Sequence, residues 1–171
     1  REKEIGTIEQ IMVTPIRPVE FILGKTVPFA LIGYAEVLLV TLIGVFWFQV
    51  PITGSLGLLF LGSGLFLMNT LGGGLLISTY SQTQQQAMMS TFFIFFPCML
   101  LSGFAFPIAN MPEVVQWLTL ANPLRYFLVI VRGIFLKGVG ADVLWRELTA
   151  LGAMGFATLW FVSMRFSKTL T

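Results

Sequence analysis

An all-α membrane protein is the fold class this sequence predicts: four transmembrane helices, an amphipathic helix ahead of them, and an outer re-entrant helical hairpin before the last span. Three observations predict it. Apolar segments at about 27–48, 56–80, 87–106 and 148–166 can each cross a hydrocarbon core about 30 Å thick, which takes about 20 helical residues. A helix apolar on every face for that long has no place on a soluble surface. The chain is 56% hydrophobic and 11% charged, against roughly 25% charged residues in soluble domains. The breaks between the first three segments are too short to hold a soluble domain, so those spans follow one another directly.

The same composition excludes several functions. A formal charge of +2, with basic residues at the edges of apolar segments rather than in a patch, argues for the lipid bilayer and against nucleic acid as partner. No histidine is present, which removes His-based catalysis and His-ligated metal, and no metal site is expected. The single cysteine, Cys98, lies inside the third apolar segment, so no intrachain disulfide is available. The chain opens at Arg1 without a methionine or a signal-peptide pattern, and it is expected to be part of a longer protein.

Residues 1–25 are charged but place Ile5, Ile8, Ile11 and Met12 at three-and-four spacing, one apolar face of a helix that lies along a surface. Thr7 with Gln10 fits a capping box, and Pro15 ends that helix near Val13. Pro18 suits the first turn of a second helix that runs through Lys25 into the first span, with a bend expected near Pro28. Pro51 and Gly54 mark a tight turn into the second span. Glycines crowd that span, and Thr70, Gly74 and Ser78 form a stripe expected to be a packing face. The glutamine-rich residues 81–86 only reverse the chain.

The third span is expected to end at Gly103 and the Phe106, Pro107 pair. From 108 to about 140, Pro112, Asn122 and Pro123 interrupt two apolar stretches too short to span, which predicts a re-entrant or interfacial hairpin. One continuous span over 114–136 is the rival; it would bury Pro123, Arg125 and Arg132, at about 2.5 to 3.5 kcal/mol per arginine near the centre. Arg1, Lys3, Arg17 and Lys25 at one end and Arg165 and Lys168 at the other predict that both termini are cytoplasmic. Arg125, Arg132, Lys137 and Arg146 then fall outside, with Glu113, Asp142 and Glu147 as expected partners.

Two apparent motifs dissolve on inspection. Gly24, Lys25 and Thr26 end like a phosphate-binding loop, but Val19 stands where its first glycine belongs and no strand precedes it. Ser63 between two glycines has no histidine to activate it. Glu36 is the one acid well inside a span, where an ionisable group is costly enough to be a candidate functional residue. Phe92, Phe93, Phe95 and Phe96 either line a path for an apolar substrate or pack against lipid and helices. Trp117 and Trp145 fit an interfacial aromatic belt.

Several runs carry a family resemblance: Arg-Glu-Lys-Glu-Ile-Gly-Thr-Ile-Glu-Gln-Ile-Met-Val-Thr-Pro at 1–15, Gly24-Lys25, and Leu-Ser-Gly-Phe-Ala-Phe-Pro at 101–107. Met111-Pro112, Asn122-Pro123-Leu124-Arg125-Tyr126 and Arg132-Gly133-Ile134-Phe135 continue it. In this order, over nearly the whole chain, it resembles the C-terminal portion of the permease subunits of type 2 ATP-binding-cassette exporters. The resemblance implies a multi-pass subunit of a bacterial cytoplasmic (inner) membrane that is not itself an enzyme. A cytoplasmic ABC ATPase would bind ATP and Mg, and a second permease copy or homologue would complete a homo- or heterodimer. It makes the first helix a coupling helix on the ATPase, with Glu4, Gly6, Thr7, Glu9 and Pro15 in it beside the anchors Ile5, Ile8 and Met12. Pro107, Pro112, Asn122, Pro123 and Tyr126 would belong to an outer hairpin that closes the pathway. Exported substrates would be amphipathic, drugs or lipids among them. The alternative of a different class is a non-transporting membrane scaffold or accessory subunit, which the absence of a neighbouring ATPase gene would favour.

Overall fold

Pro18 does open a helix. In the computed structural model, which describes residues 18–169, α1 (Pro18–Phe46) continues through Pro28 as one element. The amphipathic segment with Glu4, Ile5, Gly6, Thr7, Ile8, Glu9, Met12 and Pro15 lies outside the described residues. α1 stops where Trp47 and Phe48 both donate to the Ile43 carbonyl and Gln49 turns to a positive φ of 53°, a conformation uncommon outside glycine. α2 (Leu56–Tyr80) matches the expected second span residue for residue. After a three-residue break, the Thr83 hydroxyl caps α3 (Gln84–Leu100) by accepting from the Gln86 amide.

α3 ends earlier than the apolar pattern alone predicts. Ser102 folds its hydroxyl back onto the Met99 carbonyl at 2.6 Å and accepts from the Phe104 amide, and Gly103 takes φ +84°. That left-handed step is one glycine makes without strain, and it diverts residues 101–106 out of the helix. A 3₁₀ turn (Ile108–Asn110), α4 (Glu113–Thr119), α5 (Pro123–Arg132) and a π-helical turn (Gly133–Lys137) follow, and α6 (Ala141–Thr169) closes the described chain. Among the described residues there is no strand.

Three stretches are long and apolar enough to cross a membrane: Thr26–Phe46, Leu56–Tyr80 and Ala141–Met164. α3, at 17 residues, is about 25 Å long and falls just short of them. The segment Glu113–Thr119 with Pro123–Lys137 is apolar enough to count as a fourth but is bent by 82° at its break.

The interior is narrow and centred on α2. Leu59, Ile130, Ile134, Leu144 and Leu151 form its buried apolar cluster, joining α2, α5, the π turn and α6. α2 and α6 meet at glycines: a Cβ on Gly72 would stand 2.9 Å from a Thr158 methyl, and one on Gly155 3.0 Å from the Asn69 amide. Asn69 locks this contact, donating to the Leu65 carbonyl in its own helix and to the Leu151 carbonyl of α6, both at 2.8 Å. Such close approach with an interhelical hydrogen bond is how helices associate where no hydrophobic drive separates side chain from lipid. The expected stripe of Thr70, Gly74 and Ser78 is not this face. Gly74 and Ser78 are exposed, a Cβ on Gly74 would meet nothing within 4 Å, and Thr70 bonds only within α2. The face that packs is a different one, at Gly62, Asn69 and Gly72, because α6 and α5 sit on that side.

Candidate functional site

The hairpin between α3 and α6 concentrates the polar contacts. Pro107 caps the 3₁₀ turn, whose Asn110 amide returns to the Pro107 carbonyl at 3.1 Å. Pro112 caps α4 and takes the Val115 and Gln116 amides on its carbonyl, while the Gln116 side chain donates back to Met111. Both prolines stand where a missing N–H costs no helix bond.

Asn122 holds the break. It is 5% exposed; its side-chain oxygen accepts from the Leu124 amide at 3.1 Å, capping α5 with Pro123 in the first turn, and its amide donates to the Cys98 carbonyl of α3 at 2.6 Å. Cys98 O lies in the last turn of α3, whose carbonyls have no intrahelical donor, so one side chain satisfies a helix start and a helix end. Tyr126 then donates to the Leu120 carbonyl at 2.9 Å, and Thr119, fully buried, donates to Gln116 O while accepting from Arg125.

The far end of the hairpin is tied as well. Arg132 donates to the Gly103 carbonyl at 3.2 Å, and Thr53, in the α1–α2 turn, reaches the Phe135 carbonyl at 3.0 Å and that of Ile134 at 3.3 Å. Gly138, at φ +60°, leaves no room for a side chain beside Thr53, just as Gly54 leaves none beside the Ile134 backbone. Along α2 the contacts run in reverse order: Gly54 with Ile134, Gly62 with Ile130, and Phe66 stacked on Phe127 at 4.4 Å. α5 is therefore antiparallel to α2. Its Pro123 end lies beyond Phe66, which is ten residues or about 15 Å from the start of α2.

Five of the predicted site residues, Pro107, Pro112, Asn122, Pro123 and Tyr126, thus belong to one hydrogen-bonded structure. Glu36 does not join them. It is exposed on α1, flanked by exposed Ile32, Leu39, Val40 and Ile43, and its carboxylate has no hydrogen bond or ion pair among the described residues. The expected pairs of Arg125 and Arg132 with Glu113, Asp142 and Glu147 are corrected. Both arginines bond neutral oxygens, and one carboxylate oxygen of Glu147 is buried without a partner. A neutral oxygen inside the hairpin is closer to each guanidinium than any acid on the flanking elements. Thr119, Thr53 and Asn69 were missed in the sequence. Asn69 had a signal, as the one amide side chain inside a glycine-rich span; the threonines had none.

α3 itself buries no residue. Phe92 stacks on Phe96 at 5.6 Å and meets Phe93 edge-on at 6.2 Å, yet Phe92, Phe93, Phe95 and Phe96 are all at least half exposed. Trp117 and Trp145 are exposed too. No group of three or more His, Cys, Asp or Glu that could hold a metal occurs among the described residues.

A bundle of helices long and apolar enough to cross a membrane, with a bent and internally bonded hairpin, defines a multi-pass membrane protein. The chain belongs to the ABC-2 type transporter family, whose model matches residues 1–136. It is 38% identical over 151 residues to the probable multidrug ABC transporter permease YbhR of Escherichia coli K12, covering 88% of this chain and 41% of that protein. To the probable multidrug ABC transporter permease YbhS of the same strain it is 42% identical over 139 residues, 81% of this chain and 37% of the relative. To the inner membrane transport permease YhhJ it is 33% identical over 175 aligned positions, 99% and 46%. The chain thus spans less than half the length of these relatives. No solved structure matches it.

Proposed function

We propose that the chain is the C-terminal part of the membrane subunit of an ABC exporter in the bacterial cytoplasmic membrane. It would move an amphipathic substrate, a drug or a lipid, out of the cytoplasm with ATP hydrolysed by a separate cytoplasmic subunit that holds ATP and Mg. The observation that carries this reading is the family match over residues 1–136, strengthened by relatives named as multidrug permeases. Residues 1–15 would be the coupling helix, with Ile5, Ile8 and Met12 as anchors in a groove of the ATPase and Glu4, Gly6, Thr7, Glu9 and Pro15 around them.

In this reading α1, α2, α3 and α6 cross the membrane, both ends of the chain face the cytoplasm, and α4 with α5 re-enters from outside. The reverse-order contacts of α5 along α2, and the bond from Asn122 to Cys98, support a bend about halfway into the bilayer rather than a continuous span. Irregular backbone at that depth is tolerated only where protein or a cavity surrounds it. The exposed phenylalanines of α3 would face a second permease subunit, identical or homologous, and the pathway between the two. Glu36 would serve either the pathway or a contact between helices.

The test is Ile8→Asp in the full-length permease, with ATPase co-purification and export both measured. A charge at the centre of the anchor face should leave the permease in the membrane and abolish both. Co-purification at the parental level would sink the coupling assignment, and a parental protein that neither exports nor binds an ATPase would leave the scaffold reading in its place.

A further inference from the structure

Between α1, α2 and α6, on the side of α2 away from the hairpin, lies a cavity of about 350 Å³. Val27, Ala30 and Tyr34 of α1, Leu67 and Leu71 of α2 and Val162 of α6 line it, and its surface is almost wholly apolar. Its one polar feature toward the middle of the helices is the Tyr34 hydroxyl; Thr26 and Ser163 line the other end. The Tyr34 ring is fixed by stacking on Phe60, with centroids 6.1 Å apart, and by Gly64, where any Cβ would collide with the hydroxyl oxygen. Tyrosine hydroxyls buried in apolar surroundings usually find a partner. The Tyr34 hydroxyl, on a half-buried residue lining this cavity, has no hydrogen bond among the described residues, and an apolar cavity gives water no set of polar partners to stand in for one. Volume, apolar lining and a single oriented donor are the attributes of a small-molecule site.

We propose that this cavity binds a small apolar molecule dissolved in the membrane that carries one hydrogen-bond acceptor, a carbonyl, and that the Tyr34 hydroxyl donates to it. The polar group of the ligand enters first, toward Tyr34, and its apolar body fills the space between Val27, Leu71 and Val162. A plain acyl chain fits the walls but leaves the hydroxyl unpaired, which is why the ligand is given an acceptor. The site is separate from the hairpin and from the phenylalanine face of α3, so it does not rest on the export reading.

Benzophenone, an apolar ketone that inserts into nearby C–H bonds under near-ultraviolet light, is both ligand and reporter. Illumination of the full-length permease in nanodiscs should label the cavity residues, Met68 and Leu67 foremost, with saturation, while exposed Phe29 and Ile32 on the outer face of α1 label in proportion to concentration. In Tyr34→Phe, which keeps the ring stacking, the half-saturating concentration should rise about fivefold, the factor one net hydrogen bond is worth. Diphenylmethane, which lacks the carbonyl, should compete equally weakly in both proteins. Ala30→Phe, which fills the cavity, should abolish saturable labelling and leave Phe29 unchanged. Equal saturation in Tyr34→Phe would overturn the role of the hydroxyl. Labelling confined to Phe29 and Ile32, or a cavity closed by residues beyond this chain, would overturn the site.

Discussion

α2 and α3 are consecutive apolar helices, yet α2 buries Leu59, Gly62, Ser63, Asn69 and Gly72 while α3 buries nothing. The difference is in side-chain size. α2 presents Gly64 to Tyr34 of α1, Gly62 to Ile130 of α5 and Asn69 with Gly72 to α6, so all three helices approach its backbone. α3 carries no glycine over its length and is rich in phenylalanine and methionine, and none of it is buried against the described residues. The first helix is organised around neighbours within this chain, and the second buries no residue against any of the described ones. In a membrane, a face of exposed phenylalanines on an otherwise capped and anchored helix meets lipid unless a partner covers it, and the proposed function assigns it the partner.

The anchoring of α3 is where that comparison breaks most readily. Asn122→Ala removes the cap of α5 and leaves the Cys98 carbonyl without a donor. An unsatisfied buried acceptor with a lost cap costs about 3 kcal/mol, read as a lower unfolding midpoint of the full-length permease in detergent. A midpoint unchanged from the parent would mean that α3 and the hairpin are not joined through this residue. On α2, Gly72→Leu forces a branched side chain into Thr158 and should cost about 2 kcal/mol by overpacking, whereas Gly74→Leu, two residues on and facing open space, should change the same midpoint little. Equal losses would put the packing face on the Thr70, Gly74 and Ser78 stripe after all. Smallest is Phe93→Ala on α3. Within one subunit it should move stability by less than about 0.5 kcal/mol, while the fraction of associated subunits, followed by size-exclusion chromatography, falls measurably.

Much of this architecture was legible beforehand because apolar runs of about 20 residues and proline breaks report directly on the solvent and the backbone. α2 was found residue for residue, and Pro18, Pro112 and the Asn122, Pro123 break all punctuate helices as their chemistry dictates. What could not be read is what depends on contacts distant in the chain. The stopping point of α3 at Leu100 is set by the Ser102 hydroxyl and the positive φ of Gly103 rather than by hydropathy. The helix face that packs is not the one expected, because small residues line two faces of α2. The arginine partners were missed because charge alone pointed to acids, while the hairpin offers nearer neutral oxygens at Thr119 and Gly103. For Glu36 the sequence indicated an acid inside a span, and in the structure it lies on an exposed apolar face of α1.

Whether α3 meets a second subunit is tested most directly by a photo-crosslinking amino acid placed at position 93 of the full-length permease, with position 29 on α1 as the matched control. Phe93 and Phe29 are 72% and 61% exposed, so exposure alone does not separate them. On illumination in membranes, position 93 should give an adduct of two permease subunits, identified by mass spectrometry, while position 29 should give lipid adducts and no such species. Subunit adducts from position 29 with none from position 93 would contradict the assignment of α3 as the face between subunits.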